Sequence, residues 1–212
     1  MSSSLNFPHC RQQLIIFTRY PEAGKTKTRL IPALGAEGAA TLQRQMTEQK
    51  LAEAQKLQAS DSLSVEVHFT GGDEQRLQEW LGTKLTYRQQ SQGDIGSRMA
   101  DAFQQAFQAG MESVVLIGID CPDLDAELLG KAFQLLHQHD LVLGPAADGG
   151  YYLIGLKQLF PELFSGIAWS TAAVFPKTVE IAQNLALGVA YLPQLRDIDR
   201  PEDLADWESG KL

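Results

Sequence analysis

The 212-residue sequence has little cysteine, no long hydrophobic run and no excess of positive charge. Cys10 and Cys121 are too few for a disulfide framework, and every apolar run is far shorter than the roughly 20 residues that span a bilayer. The net charge of −8 argues against nucleic-acid binding, which usually requires a basic face. Residues 1–11 lack the apolar region of a signal peptide and are expected to be flexible. We expect a cytoplasmic protein without a membrane span or a nucleic-acid partner.

Strand and helix patterns alternate along the chain. Short apolar runs at 14–17 and 114–119 are typical of strands that are covered on both faces. Helical patterns follow at 36–60, from the segment 92–99 to about 108, and at 126–139. The alternation predicts one α/β domain over residues 1–212, with a mostly parallel central sheet.

Three aspartates follow the run at 114–119, which has the composition of a central strand. Asp123 and Asp125 suit the cap of a helix that starts near Ala126, whereas Asp120 lies too far forward for that role. Ligands of open α/β sheets bind at the carboxyl ends of strands. Asp120 is therefore a candidate ligand for Mg²⁺ or Mn²⁺, which bind carboxylates and substrate phosphates.

A cluster of cations follows the first predicted strand, which ends at Thr18. A turn that combines cations with the backbone N–H groups of Gly24 suits a di- or triphosphate. The segment is not a P-loop, because Arg stands at position 19 where that motif needs glycine; a solvated charge run is the alternative. The predicted nucleotide-binding residues are Thr18, Arg19, Gly24, Lys25, Lys27 and Arg29.

Two glycines, Gly93 and Gly96, precede the next helix and indicate a close approach of backbone to another group. That group is either the strand beneath or a nucleotide bound at the helix N-terminus. In the second case Gly93 contacts the nucleotide and Arg98 reaches a phosphate.

The segment Asp148-Gly149-Gly150-Tyr151 follows the predicted strand 141–145. Asp148 is a candidate general base for an acceptor, and a turn residue that bonds its own backbone is the alternative. Gly149, Gly150 and Tyr151 are placed on the acceptor side. Trp169 joins them, because it lies in an irregular stretch, 161–171, of the length of a lid or acceptor surface.

The motifs together resemble the nucleotide-diphospho-sugar transferase superfamily over nearly the whole chain. They are Lys-Thr-Arg-Leu at 27–30, Gly-Ile-Asp-Cys-Pro at 118–122 and Gly-Pro-Ala-Ala-Asp-Gly-Gly-Tyr-Tyr at 144–152. More closely they resemble a bacterial transferase family that is associated with radical-SAM proteins and named for arsenosugar biosynthesis. The resemblance implies a GT-A-like fold, a Rossmann-type α/β/α sandwich.

The resemblance also implies a division of roles. Asp120 holds Mg²⁺ or Mn²⁺ with Asp199, and the cations at 19, 25, 27 and 29 hold nucleotide phosphates. Asp120 and Lys27 join Asp148 as predicted catalytic residues. Because residue 122 is Pro where an Asp-x-Asp motif would place its second acid, that acid must come from elsewhere, and Asp197 remains an alternative to Asp199.

The favoured function is metal-dependent glycosyl transfer from a nucleotide-sugar to a small-molecule acceptor. The alternative is nucleotidyl transfer of guanylyl or cytidylyl type from a nucleoside triphosphate to a phosphorylated acceptor. A catalytically inactive nucleotide sensor is a further alternative. A phospho-receiver module would need an acidic pair after the first strand, where Thr18 and Arg19 stand. The donor, the acceptor, the stereochemical course and the oligomeric state stay open.

Overall fold

A computed structural model of the chain describes residues 11–60 and 63–205. Within these residues seven strands form one sheet, and the predictions for residues 1–10 lie outside them. The strands are β1 (Gln12–Arg19), β2 (Leu63–Thr70), β3 (Thr86–Gln89), β4 (Ser113–Ile117), β5 (Leu141–Pro145), β6 (Tyr151–Leu156) and β7 (Val189–Tyr191). The α-helices are α1 (Ile31–Ser60), α2 (Glu74–Leu81), α3 (Ile95–Gln108), α4 (Ala126–Leu136) and α5 (Val174–Asn184).

The sheet has the order β3-β2-β1-β4-β6-β5-β7, so that β4 is its central strand. Only β6 runs against the other described strands; it pairs antiparallel with β4 and β5. The remaining pairs are parallel. The predicted α/β fold with a mostly parallel sheet is confirmed.

Helices cover both faces of the sheet. Alternate residues of β1 separate the two layers: Leu14 and Ile16 pack with α1 and α4, whereas Ile15 and Phe17 pack with α3 and the Leu163–Phe164 turn. All four side chains are buried, which explains why the sequence of β1 reads as a continuous apolar run. No helix in the described ranges is long and apolar enough to cross a membrane.

Several predicted boundaries were wrong by a few residues. The helix predicted at 36–60 is confirmed, but a short helical segment, 31–34, precedes it in α1 across a kink at Gly35, where φ is 71°. The fourth helix ends at Leu136, three residues early, and the central strand ends at Ile117, two residues early. Asp125 caps α4 as predicted, since its carboxylate accepts a hydrogen bond from the N–H of Leu128 at 2.9 Å.

Candidate functional site

Three segments, which follow β4, β5 and β7, meet at the carboxyl edge of the sheet. The Asp120 carbonyl, just beyond β4, accepts a 2.8 Å hydrogen bond from the N–H of Ile198, beyond β7. The N–H of Ala147, beyond β5, donates to the Leu195 carbonyl at 2.9 Å. These backbone bonds bring the distant C-terminal acids to the central strand, as the resemblance implied.

Lys27, in the loop that follows β1, contacts two of these segments. Its ammonium donates to Asp120 Oδ1 at 2.7 Å and to the Ile198 carbonyl at 2.7 Å. The lysine side chain is 4% exposed, whereas that of Asp120 is 51% exposed. Lys27 is also left-handed, with φ 43° and ψ 47°, a conformation that costs about 1–3 kcal/mol when a residue other than glycine adopts it. Strain of this kind is concentrated at functional sites.

The rest of the basic loop is fixed by its own contacts. The Thr26 hydroxyl donates to the Glu22 carbonyl at 2.7 Å and accepts from the Glu22 N–H at 3.0 Å. Lys25 forms an exposed ion pair with the Glu22 carboxylate at 2.7 Å, which lowers the pKa of Glu22. Gly24 is left-handed, with φ 77°, and faces open space. Lys25 is thus exposed and paired within the loop, whereas Lys27 contacts Asp120.

Arg29 forms an ion pair with Asp199, and this hydrogen bond raises the pKa of Arg29. The backbone of Asp199 is held in turn, because its N–H donates to Asp203 Oδ2 at 3.0 Å. The two predicted metal ligands, Asp120 and Asp199, thus each contact one cation of the basic loop.

Four carboxylates line one small cavity of about 220 Å³. Burial raises the pKa of Asp197, and repulsion by Asp148 raises it further. We call this space the acidic cavity; its carboxylates are Asp120, Asp148, Asp197 and Asp199, and the rings of Tyr151 and Tyr152 also line it. Such a cluster favours a cationic or hydroxyl-rich ligand.

The donor set fits a divalent cation only in part. Among the described His, Cys, Asp and Glu residues, no group of three is arranged to hold a metal ion. Mg²⁺, however, is commonly held by one or two carboxylates and takes its other ligands from waters and substrate phosphates. Asp120 and Asp199 supply hard oxygen donors for such a site, with a phosphate completing it.

A second cavity, of about 370 Å³, lies beside the first and shares Asp120 with it. We call it the arginine cavity, because Arg19 and Arg98 line it together with Thr18, Gln43 and Gln90. Arg98 Nε donates to the carbonyl of Gly93 at 3.0 Å. The hydroxyl of Thr18 also lies 2.8 Å from that of Thr47, which ties the end of β1 to α1, and its contact with a nucleotide stays a prediction.

A third, larger cavity of about 740 Å³ opens on the other side of the acids. Its lining combines carboxylates with cations, and Ser170 there is left-handed with φ 62°. We call it the outer cavity; it is lined by Arg29, Asp148, Ser170, Thr171, Arg196, Asp197, Asp199, Arg200 and Glu202, among others.

Asp148 faces both the acidic and the outer cavity. Its Oδ1 accepts a 2.8 Å hydrogen bond from the N–H of Gly150, the contact expected of a turn residue. Gly149 is left-handed with φ 90°, and a Cβ there would strike the backbone of Ala172. The two glycines therefore shape the turn, and the placement of Asp148 is compatible with either of its predicted roles.

The close approach at Gly96 is made by a group that the sequence did not indicate. A Cβ at Gly96 would overlap the indole ring of Trp169. A nucleotide contact at Gly93 and Arg98 stays a prediction. Trp169 also meets Tyr151 edge to face, with 6.5 Å between ring centroids. Burial raises the pKa of Tyr151 above its usual range. The two aromatic residues form a packed wall beside the site.

Helix α1 was predicted to be structural support, and its buried polar residues Gln43, Thr47 and Lys50 were not predicted. Lys50 is fully buried and donates to the carbonyls of Pro122 and Leu124. The available signal was their spacing of four and three residues, which places them on one helical face beside apolar residues.

Comparisons with known proteins agree on the fold. A family model described as "Uncharacterized protein conserved in bacteria (DUF2064)" matches residues 51–171. A provisionally named nucleotide-diphospho-sugar transferase from Desulfovibrio desulfuricans G20 is 35% identical, with a TM-score of 0.86 over 95% of this chain and 88% of that one. No curated protein is a detectable relative by sequence.

More distant solved structures share the fold alone. The 4-diphosphocytidyl-2C-methyl-D-erythritol synthase of Anaerococcus prevotii is 12% identical, with a TM-score of 0.63 over 93% of this chain and 94% of that one. The inositol-1-phosphate CTP transferase of T. maritima is also 12% identical, with a TM-score of 0.55 over 92% and 91%. The predicted GT-A-like fold is therefore confirmed.

Proposed function

Since the chain belongs to the DUF2064 family and to the nucleotide-diphospho-sugar transferase superfamily, we propose that it is a transferase that moves a glycosyl group from a nucleotide-sugar to a small-molecule acceptor, with Mg²⁺ or Mn²⁺. The motifs at 118–122 and 144–152 support the narrower radical-SAM-associated, arsenosugar-type assignment within this proposal. We place the reaction in the cytoplasm.

The contact between Lys27 and Asp120 carries the proposal. Asp120 lines both the arginine cavity and the acidic cavity, so this ion pair lies at their boundary. The arginines on one side suit nucleotide phosphates, because guanidinium groups form paired hydrogen bonds with phosphate oxygens. The carboxylates on the other side suit the hydroxyls of a sugar or an acceptor. The bond that the reaction breaks would lie between these arginines and these carboxylates.

Each functional group then has a role that its position permits. Asp120 and Asp199 would hold the metal ion, which when bound supplies positive charge to the departing diphosphate. Lys27 would hold Asp120 in place and, with Arg19 and Arg98, neutralise the phosphates. Asp148, at the boundary of the acidic and outer cavities, would accept the proton of the acceptor hydroxyl as that oxygen attacks.

Charge pairing favours a nucleotide-sugar over a nucleoside triphosphate. Three of the four cations in the basic loop already contact carboxylates of the chain: Lys25 with Glu22, Lys27 with Asp120, and Arg29 with Asp199. A triphosphate would need more uncompensated positive charge than a diphosphate ester. Nucleotidyl transfer remains the second candidate, because Arg29, Arg196 and Arg200 line the outer cavity, where a phosphorylated acceptor would lie.

The two reactions release different products, and this difference tests the proposal. The protein is incubated with nucleotide-sugars, or with nucleoside triphosphates plus sugar phosphates, in the presence and absence of Mn²⁺. Glycosyl transfer, or slow donor hydrolysis, releases a nucleoside diphosphate, whereas nucleotidyl transfer releases pyrophosphate. Mn²⁺-dependent diphosphate release supports the proposal. Pyrophosphate release alone would establish the second candidate instead.

A further inference from the structure

Three polar residues of α1 are buried on a single face of the helix. Gln43 is 4% exposed, Thr47 1% and Lys50 0%. Burying a polar group is costly unless it is hydrogen-bonded, and burying a charge is more costly still. A helix that only covered the sheet would be expected to place apolar residues here, so the contacts of these three side chains need an explanation.

The first two residues hold the end of β1. Gln43 Nε2 donates to Thr18 Oγ1 and to the Arg19 carbonyl, both at 3.1 Å. The Thr47 hydroxyl lies 2.8 Å from Thr18 Oγ1 and donates to the Gln43 carbonyl at 2.9 Å. The point at which β1 passes into the basic loop is therefore fixed to α1 by buried hydrogen bonds.

Lys50, one turn further along α1, holds the segment that follows β4. Its ammonium donates to the carbonyl of Pro122 at 2.8 Å and to that of Leu124 at 2.7 Å. Both carbonyls belong to the turn that begins at Asp120. An apolar side chain of the same length would fill the space but would remove the donor to the buried Leu124 carbonyl and leave the Pro122 carbonyl with only the longer, 3.4 Å contact from Gln49 Nε2.

The ammonium is retained there at a cost. Burial is the main cause that lowers the pKa of Lys50, to about 8, while nearby acidic groups act in the opposite direction. Removing one member of a buried charged contact usually destabilises a protein more than replacing the whole contact with apolar residues does. The cost is understandable if the turn after β4 must keep one particular conformation.

We propose that Lys50 is a positioning residue, which holds the turn 120–124 so that Asp120 faces Lys27 and the two cavities. With Gln43 on the same helical face, it makes α1 the element that sets the separation between the basic loop and Asp120. The purpose of this arrangement rests on the proposed function, but the positioning itself is a property of the free protein. It can be measured without any ligand.

Amide hydrogen exchange of the Lys50→Met protein tests the positioning directly. The N–H of Leu124 donates to the Cys121 carbonyl, and the N–H of Ile198 donates to the Asp120 carbonyl. Without the ammonium, both amides should exchange about tenfold faster or more at neutral pH, because the turn opens locally. The matched control is Leu57→Ala, a core truncation two turns further along the same helix, with no hydrogen bond to the turn to lose.

The amide exchange rates of the two variants are compared after correction for the difference in their free energies of unfolding. Equal protection of these amides in Lys50→Met and Leu57→Ala would overturn the proposal. Should Lys50→Met fail to fold, Lys50→Gln, which keeps one donor, replaces it and should show a smaller increase in exchange. Loss of the whole fold in both Lys50 variants would also contradict a local positioning role.

A second readout connects the turn to ligand binding. With ADP, GDP, UDP and CDP as probes, Lys50→Met should lose the gain in affinity that Mn²⁺ gives the wild type and keep the metal-independent affinity, whereas Leu57→Ala keeps both. Retention of the full Mn²⁺ gain in Lys50→Met would count against the proposal. If the wild type binds none of these probes, the proposed function fails, and the exchange measurement still decides the role of Lys50.

Discussion

The ammonium of Lys27 lies 2.7 Å from a carboxylate oxygen of Asp120, and it reaches that position from a left-handed backbone conformation. The lysine is almost wholly buried, whereas the carboxylate it holds is half exposed. A residue other than glycine adopts this conformation only where its surroundings impose it. The chain therefore accepts local strain in order to place one cation against the acid at the end of the central strand.

Lys27→Ala should weaken the binding of a nucleoside diphosphate far more than that of the nucleoside. Losing one charge-assisted contact, together with the restraint on Asp120, is expected to cost about 1.5–3 kcal/mol. Calorimetric titration with the diphosphate and with the nucleoside measures the difference.

Lys25→Ala is the control for this titration, since it removes a cation from the same loop. Lys25 is paired with Glu22 and exposed, so its loss should change affinity by less than about 0.5 kcal/mol. Equal effects of the two substitutions would mean that the loop acts only through its total charge.

Asp148→Asn separates the two roles of that residue. The amide oxygen of Asn can still accept the hydrogen bond from the N–H of Gly150, so the turn should persist. If Asp148 is the general base, kcat should fall by about a hundredfold or more while nucleotide affinity is kept. Normal turnover in the variant would show that Asp148 is a turn residue only.

Gly96→Ala should destabilise the protein because the new methyl group overlaps the indole of Trp169. Forcing an extra carbon into a packed contact costs about 1–3 kcal/mol. Gly130→Ala in α4 is the control: its Cβ would meet Leu57 at 3.4 Å, an ordinary contact, and alanine favours the helix by about 0.5–1 kcal/mol. The urea concentration at the midpoint of unfolding should therefore fall for Gly96→Ala and rise for Gly130→Ala.

The stability of the protein should depend on pH through Lys50. Its pKa is lowered to about 8 by burial, against the opposing effects of Cys121, Glu53, Asp123 and Asp125. Above pH 8 the folded lysine loses its proton while the unfolded chain still binds one, so the free energy of unfolding rises with pH up to the unfolded pKa.

The difference between wild type and Lys50→Met isolates this contribution from other titrating groups. Between pH 8 and 10 the unfolding free energy of the wild type should rise relative to the variant by up to about 1.4 kcal/mol per pH unit. Below that range the difference should be constant. Urea titrations at a series of pH values measure it, and a difference that stays flat throughout would show that the lysine is solvated.

The sequence predicted the elements and their order well, because the strands are buried on both faces and the helices are amphipathic. Asp125 could also be predicted as a helix cap, because capping depends on residues that are close in sequence. The role of Asp199 as a metal ligand, with Asp197 as the alternative, was implied only by the family resemblance. Their approach to Asp120 depends on the backbone bond of Ile198 across the sheet, which no local pattern encodes.

What the sequence did not predict depends on contacts between distant residues. Gly96 is explained by Trp169, and Lys50 by carbonyls more than seventy positions away. A fully buried lysine cannot be inferred from helical periodicity alone, since that residue type is almost always exposed. The pairing of Lys25 with Glu22 likewise follows from the fold of the loop.

The central claim is that Asp120 joins a metal ion to a nucleotide diphosphate, and calorimetry on Asp120→Asn tests it most directly. Nucleoside diphosphate is titrated into wild type and variant, each with and without Mn²⁺. The wild type should bind about tenfold or more tightly with the metal, because phosphate oxygens complete the coordination that two carboxylates leave open. The variant should show no such gain. An Asp120→Asn protein with the same Mn²⁺-dependent affinity as the wild type would contradict the claim.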